Sequence, residues 1–309
     1  MKKLETVSLK GKKFSRLGMG CWAAGGHGWG KTEDRDSIDA IRYAYDNGVT
    51  FFDTADCYGL GKSERILRTA LGSDISNAFI ATKGGVRWDS SGNVWADSSP
   101  EYLRKAAEAS LERLGIEQIP LYYIHKLDGK TEIGKVMEAL SELKRSGKIG
   151  EIGVSNFTAT QLEEACCCAE VKFVQNRFNI LDGFQYDGMA DTCLDNDLLF
   201  VAFGVLADGM LTGKFDKDTK FGGDDHRSRM KEFKGELFFE RLEIVGKLRD
   251  IAQANSVTIA QLVLKWTMKK YPWVCPLFGA KTAFQVEENI GAEDFTLDAE
   301  SISIIESFI

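Results

Sequence analysis

Short β-branched or aromatic runs alternate along this chain with longer segments whose apolar residues recur every three to four positions. The first pattern, bounded by polar turns, is that of buried strands; the second is that of helices laid against a core. Eight runs read as strands: Arg16 to Gly20, Val49 to Asp53, Ala78 to Thr82, Leu121 to His125, Glu151 to Val154, Phe173 to Gln175, Leu199 to Phe203 and Trp273 to Leu277. The segments between them carry end signals. Ser99-Pro100-Glu101 supplies an N-cap, a proline suited to the first helical position and an acid in the first turn, and Gly115 follows the last apolar residue, Leu114. Thr158 with Gln161, and Thr258 with Gln261, have capping-box spacing, while Gly48, Gly72 and Gly147 stand where helix ends favour glycine.

Eight strand and helix units in 309 residues are the count of a closed (β/α)8 TIM barrel, whereas a doubly wound sheet needs fewer strands and a switch point. No Pro-rich or Ser-rich linker divides the chain, so residues 1–309 read as a single barrel domain. Ahead of the first barrel strand, VSLKGKKFS sets a Lys10-Gly11 turn between two short alternating runs, which predicts an N-terminal β-hairpin plugging the barrel bottom. The charged stretch from Gly213 to Gly235 reads as a mobile loop after the seventh strand, in the position of a lid.

Charge and composition narrow the partners. Lys and Arg total 39 against 46 Asp and Glu, a net charge of -7, which argues against binding a nucleic-acid backbone. No run approaches the ~20 apolar residues of a bilayer span, and the first residues lead into no signal-peptide core, so a cytoplasmic protein without a membrane partner is expected. Seven scattered cysteines, three of them adjacent at Cys166, Cys167 and Cys168, read as reduced thiols. Three histidines without an HExxH or CxxC predict no metal site.

In such a barrel the reactive groups come from the carboxyl ends of the strands. Strand two ends at Asp53 and its loop carries Tyr58; strand three runs into Lys83; strand four ends at His125. Each has a plain reading taken singly: a capping acid, a core tyrosine, a lysine reaching solvent. Together they make chemical sense. A phenol of pKa ~10 is a poor acid at neutral pH, and a neighbouring ammonium lowers it, so Lys83 is expected to acidify Tyr58. Asp53 would hold Lys83 charged, and His125 would donate to a carbonyl oxygen on which negative charge develops. An alternative makes Lys83 the nucleophile of a Schiff-base aldolase.

FFDTADCYG (51–59), ATKGG (81–85), LYYIHKLD (121–128) and GVSNF (153–157) resemble the aldo-keto reductase family, and so do VQNRFNIL (174–181), GMLTGKF (209–215) and GAKTAFQVEENIGA (279–292). The resemblance spans nearly the whole chain. It implies a (β/α)8 barrel that binds NADP(H) across its upper face without a Rossmann domain, and that reduces an aldehyde or ketone to an alcohol by hydride transfer. The family's catalytic tetrad falls on Asp53, Tyr58, Lys83 and His125, with Tyr58 as general acid.

The same resemblance implies that Ser155, Asn156 and Gln175 hold the nicotinamide carboxamide and that Phe203 stacks on its ring. Gly204, Leu206, Gly209 and Lys214 follow along the cofactor, and its adenosine end falls on Gly279, Lys281, Gln285, Glu288 and Asn289. Lys281 is the residue expected at the 2′-phosphate. Two departures stand out: Gly204 offers no hydroxyl, and Asp208, near the pyrophosphate, is expected to weaken cofactor binding or to change its loop. Trp29 and Trp88 are expected to wall a pocket for a small carbonyl or alcohol substrate. A monomer or weak homo-oligomer is implied, and some family members that bind the cofactor serve as regulatory subunits with little turnover.

Overall fold

The computed structural model describes residues 3–26, 33–89, 91–223 and 225–309. The chain opens with a hairpin in which β1 (Thr6–Leu9) pairs antiparallel with β2 (Lys12–Ser15) around Lys10 and Gly11. Eight further strands make the barrel: β3 (Gly18–Gly20), β4 (Phe51–Asp53), β5 (Phe79–Gly84), β6 (Ile119–Ile124), β7 (Ile149–Ser155), β8 (Val171–Asn179), β9 (Leu199–Phe203) and β10 (Val274–Gly279). Each pairs in parallel with the next, and β10 pairs back with β3, so the sheet closes. This is a (β/α)8 barrel with an N-terminal hairpin, and every barrel strand lies within a few residues of its predicted run.

The barrel interior is apolar at the bottom and polar at the top. Phe14 enters from the hairpin and stacks on Phe79 with ring centroids 4.2 Å apart. It also meets Phe51 at 5.5 Å and Phe173 at 6.2 Å, so the hairpin fills the lower end of the barrel with aromatic surface. Buried Arg16 fastens this end: its guanidinium donates to the carbonyls of Met268 at 2.6 Å, Tyr271 at 2.7 Å and Val274 at 3.0 Å, and pairs with Glu5 at 2.7 Å. Those bonds tie the hairpin to the last barrel strand.

The helices form where their end signals lie. Ser99 Oγ accepts from the Tyr102 amide at the start of helix Pro100–Leu114, and Thr158 and Thr258 each complete a capping box with Gln161 and Gln261. A short hairpin, Val86–Trp88 with Val94–Ala96, was not anticipated and sits between β5 and that first helix. The stretch 213–235, expected as a loop, holds two short 3-10 turns, His226–Arg229 and Lys231–Phe233. Its described residues pack around an aromatic cluster, with Phe221 at 5.2 Å from Phe215 and 5.0 Å from Phe233, and Arg227 lies 4.9 Å over the Phe221 ring. The aromatic residues in this charged stretch lack helix or strand spacing, so the pattern did not reveal their contacts. All seven cysteines are free. No helix among the described residues is long and apolar enough to cross a membrane.

Candidate active site

Strand alternation builds the site. Phe51, Ala81, Tyr123, Phe173 and Val201 all belong to the inner apolar cluster of the barrel. Side chains two residues further along a strand point to the same face. Two residues further come Asp53, Lys83, His125, Gln175 and Phe203, one step nearer the carboxyl ends. Each strand therefore turns from apolar to functional within a single repeat.

Asp53 and Lys83 meet at the centre of this upper layer. Lys83 Nζ lies 2.5 Å from Asp53 Oδ1 and donates to the Thr54 carbonyl at 2.9 Å. Gln175 Nε2 donates to Asp53 Oδ2 at 2.6 Å, so both carboxylate oxygens are held. Burial pushes the Asp53 carboxyl above its usual range, and Lys83 and Gln175 oppose that push.

Tyr58 reaches the same place from the loop after β4. Lys83 Nζ is 5.3 Å from its ring centre, and its ring meets that of His125 edge-on at 5.9 Å. Two glycines set the position of this loop. Gly59 has φ +58°, and a Cβ there would lie 2.3 Å from the Gly25 carbonyl oxygen; a Cβ on Gly25 would lie 2.8 Å from the Tyr58 backbone. The backbone carrying Tyr58 thus presses directly on the turn Ala23–Gly25.

The acidity expected of Tyr58 is not what this arrangement gives. Burial pushes the phenol well above its ordinary value, and the negative charge of Asp53 pushes it further. The reason is geometric: the ammonium of Lys83 is committed to Asp53 and lies over the ring, so it does not offset desolvation of a phenolate. Tyr58 is therefore a protonated phenol throughout the neutral range. His125 is held in the opposite sense, its imidazole pushed down to about 3 by burial first and then by Lys83 and Lys126. At neutral pH it is an uncharged hydrogen-bond donor and acceptor.

Around this centre the remaining predicted residues fall into two groups. Ser155 ends β7, and Asn156 follows it in the left-handed region at φ +59°, donating through Nδ2 to the His125 carbonyl and to Ser155 Oγ, each at 3.1 Å. With Gln175 and half-buried Phe203 they edge the tetrad. The second group runs outward. Gly204 abuts Arg177, and Gly209 at φ +91° abuts Lys214: a Cβ there would lie 3.2 Å from Lys214 Nζ and 3.6 Å from Arg227 Nη1.

The Lys214 ammonium is lowered by burial and by the charges of Arg227 and Lys281, and the Lys281 ammonium by burial and by Arg227. Three cations therefore converge beyond Gly209, with the Asp225 carboxylate, paired to Arg227 at 2.6 Å, among them. Leu206 precedes this turn, and Gly279, exposed, ends β10 ahead of Lys281. Gln285 Oε1 accepts from the Lys281 amide at 2.8 Å, Asn289 Nδ2 donates to the Gln285 carbonyl at 2.8 Å, and the Glu288 carbonyl accepts from Gln261.

Asp208 is not the uncompensated acid that its position suggested. Arg177 Nη2 lies 2.7 Å from it and His226 Nε2 3.2 Å, while Arg227 Nη1 donates to its backbone carbonyl at 3.3 Å. Arg177 and Arg227 were missed as site residues, although Arg177 stands inside a quoted motif; nothing but charge marked Arg227. Trp88 lines a cavity of about 380 Å³ with Asp56, Tyr102 and Arg113, and that lining includes none of Asp53, Tyr58, Lys83 and His125. Trp29 lies outside the described residues.

Residues 16–309 match the sequence profile of the Aldo/keto reductase family. The chain belongs to this family. A glycerol dehydrogenase from Gluconobacter oxydans shares the fold with a TM-score of 0.90 at 31% identity, covering 98% of this chain and 94% of that one. The aldo-keto reductase yakc [NADP(+)] of Schizosaccharomyces pombe is 33% identical over 286 residues, covering 89% of this chain and 83% of its own length. The NADH-specific methylglyoxal reductase of Escherichia coli is 31% identical over 299 residues, covering 92% and 91%. As an aldo/keto reductase family member the chain is an oxidoreductase acting on carbonyl compounds. Its relatives' names split between the two nicotinamide cofactors.

Proposed function

We propose that this aldo/keto reductase reduces an aldehyde or ketone to the alcohol with NADPH, and that Tyr58 is its general acid. The observation that carries this reading is the tetrad's assembly: a protonated phenol and a neutral imidazole, 5.9 Å apart, stand over a buried Asp53 and Lys83 pair. No nucleophile is needed in such a set, and Lys83, locked to Asp53, is poorly placed to act as one.

The residues present fit a nicotinamide dinucleotide phosphate. Ser155, Asn156 and Gln175 present amide and hydroxyl groups beside the tetrad, and Lys214, Arg227 and Lys281 gather positive charge where Gly209 leaves room for backbone approach. When bound, the cofactor supplies the hydride that reduces the carbonyl carbon. Phe203, closing β9, offers an aromatic face to it. Tyr58 gives its hydroxyl proton to the carbonyl oxygen as negative charge grows there, and neutral His125 steadies that oxygen by a donated hydrogen bond. Asp53 keeps the Lys83 ammonium fixed over the phenol ring, where it faces the negative charge of the phenolate left once the proton has gone.

Preference for NADPH over NADH rests on the three cations, which suit a phosphate better than a bare ribose. The test is the loss of NADPH absorbance with a panel of aldehydes and ketones, repeated with Tyr58→Phe. Turnover by the native chain and its loss in the variant support the reading. Tight NADPH binding without turnover of any carbonyl would instead make the chain a cofactor-binding regulatory subunit.

A further inference from the structure

Beside the tetrad the fold brings two groups that carbonyl reduction leaves unused, Asp56 and Cys57, up to His125. Asp56 and Cys57 are neighbours in the loop after β4, and His125 follows β6. One carboxylate oxygen, the thiol sulfur and one imidazole nitrogen from these residues all lie within 4.8 Å of one another. Cys57 Sγ is 3.6 Å from His125 Nδ1. Asp56 is wholly buried, and neither of its carboxylate oxygens has a hydrogen-bond partner. Buried polar groups are nearly always paired, because desolvating one without a partner costs several kcal/mol. The adjacent Arg113, whose Nε is taken by Glu64, acts on Asp56 through its charge and not through a hydrogen bond.

We propose that Asp56, Cys57 and His125 form a site for a thiophilic divalent cation of the Zn2+ class, and that its occupation shuts down carbonyl reduction. The donor set makes the choice of ion. Sulfur and imidazole nitrogen are poor ligands for Mg2+ and Ca2+, which take oxygen, whereas Zn2+ accepts Cys, His and Asp together and leaves a fourth position for water. Bond lengths of about 2.0 to 2.3 Å place the ligand atoms of a tetrahedral ion roughly 3 to 4 Å apart. The sulfur and nitrogen already stand at that spacing, and the other separations, none above 4.8 Å, need to close by up to roughly 1 to 2 Å.

Charge balances as well. Binding releases the thiol proton, and any proton on the buried Asp56 carboxyl, to solvent, and a thiolate, a carboxylate and a divalent cation sum to zero in a buried site. His125 is then tied through one ring nitrogen to an ion seated at the reaction mouth, and it no longer turns freely to the substrate oxygen. This inhibitory half rests on the role given to His125 above; the metal-binding half does not.

The experiment titrates the full-length, chelator-treated protein with Co2+ and follows its absorbance, then titrates turnover with Zn2+. Expected are one tightly bound equivalent with a thiolate-to-cobalt charge-transfer band and tetrahedral d–d bands, its displacement by Zn2+, and Zn2+ inhibition that a chelator reverses. Cys57→Ala should lose the band of that equivalent, weaken Co2+ binding by about tenfold or more and keep turnover when Zn2+ is present, and the isosteric Asp56→Asn should weaken binding likewise. A protein that gives no charge-transfer band overturns the site. So does a Cys57→Ala variant with native Co2+ stoichiometry and affinity, which would place the metal on other thiols such as Cys166 to Cys168. Co2+ binding as expected with Zn2+-insensitive turnover overturns the inhibitory half alone. Co2+ binding in a native protein that turns over no carbonyl overturns the proposed activity and leaves the metal site standing.

Discussion

Lys83 Nζ and Asp53 Oδ1 are 2.5 Å apart, with 1% and 4% of their side chains exposed. Such a pair contributes little net stability over an apolar replacement, but breaking it strands a charge in the interior at a cost of about 3 to 5 kcal/mol. Lys83→Met should therefore lower unfolding free energy by that order and abolish turnover. Adding Asp53→Asn should restore much of the stability and none of the activity. Denaturant titration alongside a turnover assay separates the two effects; a single variant as stable as the native chain would contradict the buried pairing.

The phenol of Tyr58 should control the alkaline side of the reaction. Reduction needs the protonated form, and the site raises the phenol above its ordinary value of 10.0. The rate of reduction is thus level through neutral pH and falls only as the phenol loses its proton, above pH 10. Because His125 stays neutral down to about 3, no imidazole titration near 6.5 should appear either. A pH profile of kcat/KM checks both statements. An alkaline fall centred near neutrality would mean that the bound cofactor lets Lys83 acidify the phenol after all. Tyr58→Phe should cost about 10²- to 10⁴-fold in turnover while NADPH binding, followed by fluorescence, persists.

Removing single cations should reveal what the outer cluster recognises. Lys281→Ala is expected to weaken NADPH by about 1 to 3 kcal/mol and NADH by much less. Arg227→Ala should follow the same pattern, with an additional loss because it also bonds the Asp208 backbone and Asp225. Equal losses for both cofactors in binding titrations would move the phosphate site elsewhere.

At the opposite end of the barrel, Phe14→Ala empties the space between Phe51, Phe79 and Phe173. The expected loss is about 3 to 5 kcal/mol of stability. Turnover per folded molecule should be unchanged, since the residue sits under the inner apolar layer and not at the mouth. A fall in kcat at temperatures where the variant is fully folded would show that the layers are mechanically linked.

The barrel was legible because strand runs and helix end signals are local features, and eight alternating strand and helix units leave few topologies. The upper layer was legible for a related reason: Asp53, Lys83, His125 and Gln175 each lie two residues beyond an inward apolar residue. What escaped depended on distant partners. Whether Lys83 acidifies Tyr58 turns on Asp53 capturing its ammonium, and whether Asp208 repels an anion turns on Arg177 and His226 lying beside it. The packing of Phe215, Phe221 and Phe233 has no periodicity to announce it. Nor does any spacing rule bring Asp56 and Cys57 to His125, because they come from separate strand ends.

The contact between Gly25 and Gly59 makes the height of the Tyr58 hydroxyl a joint property of two loops. A methyl group at either position would wedge them apart and swing the phenol away from the Lys83 ammonium, with all four tetrad letters untouched. Relatives that share those letters but carry bulkier residues at this seam would then differ in reactivity for a reason that no inventory of catalytic side chains records.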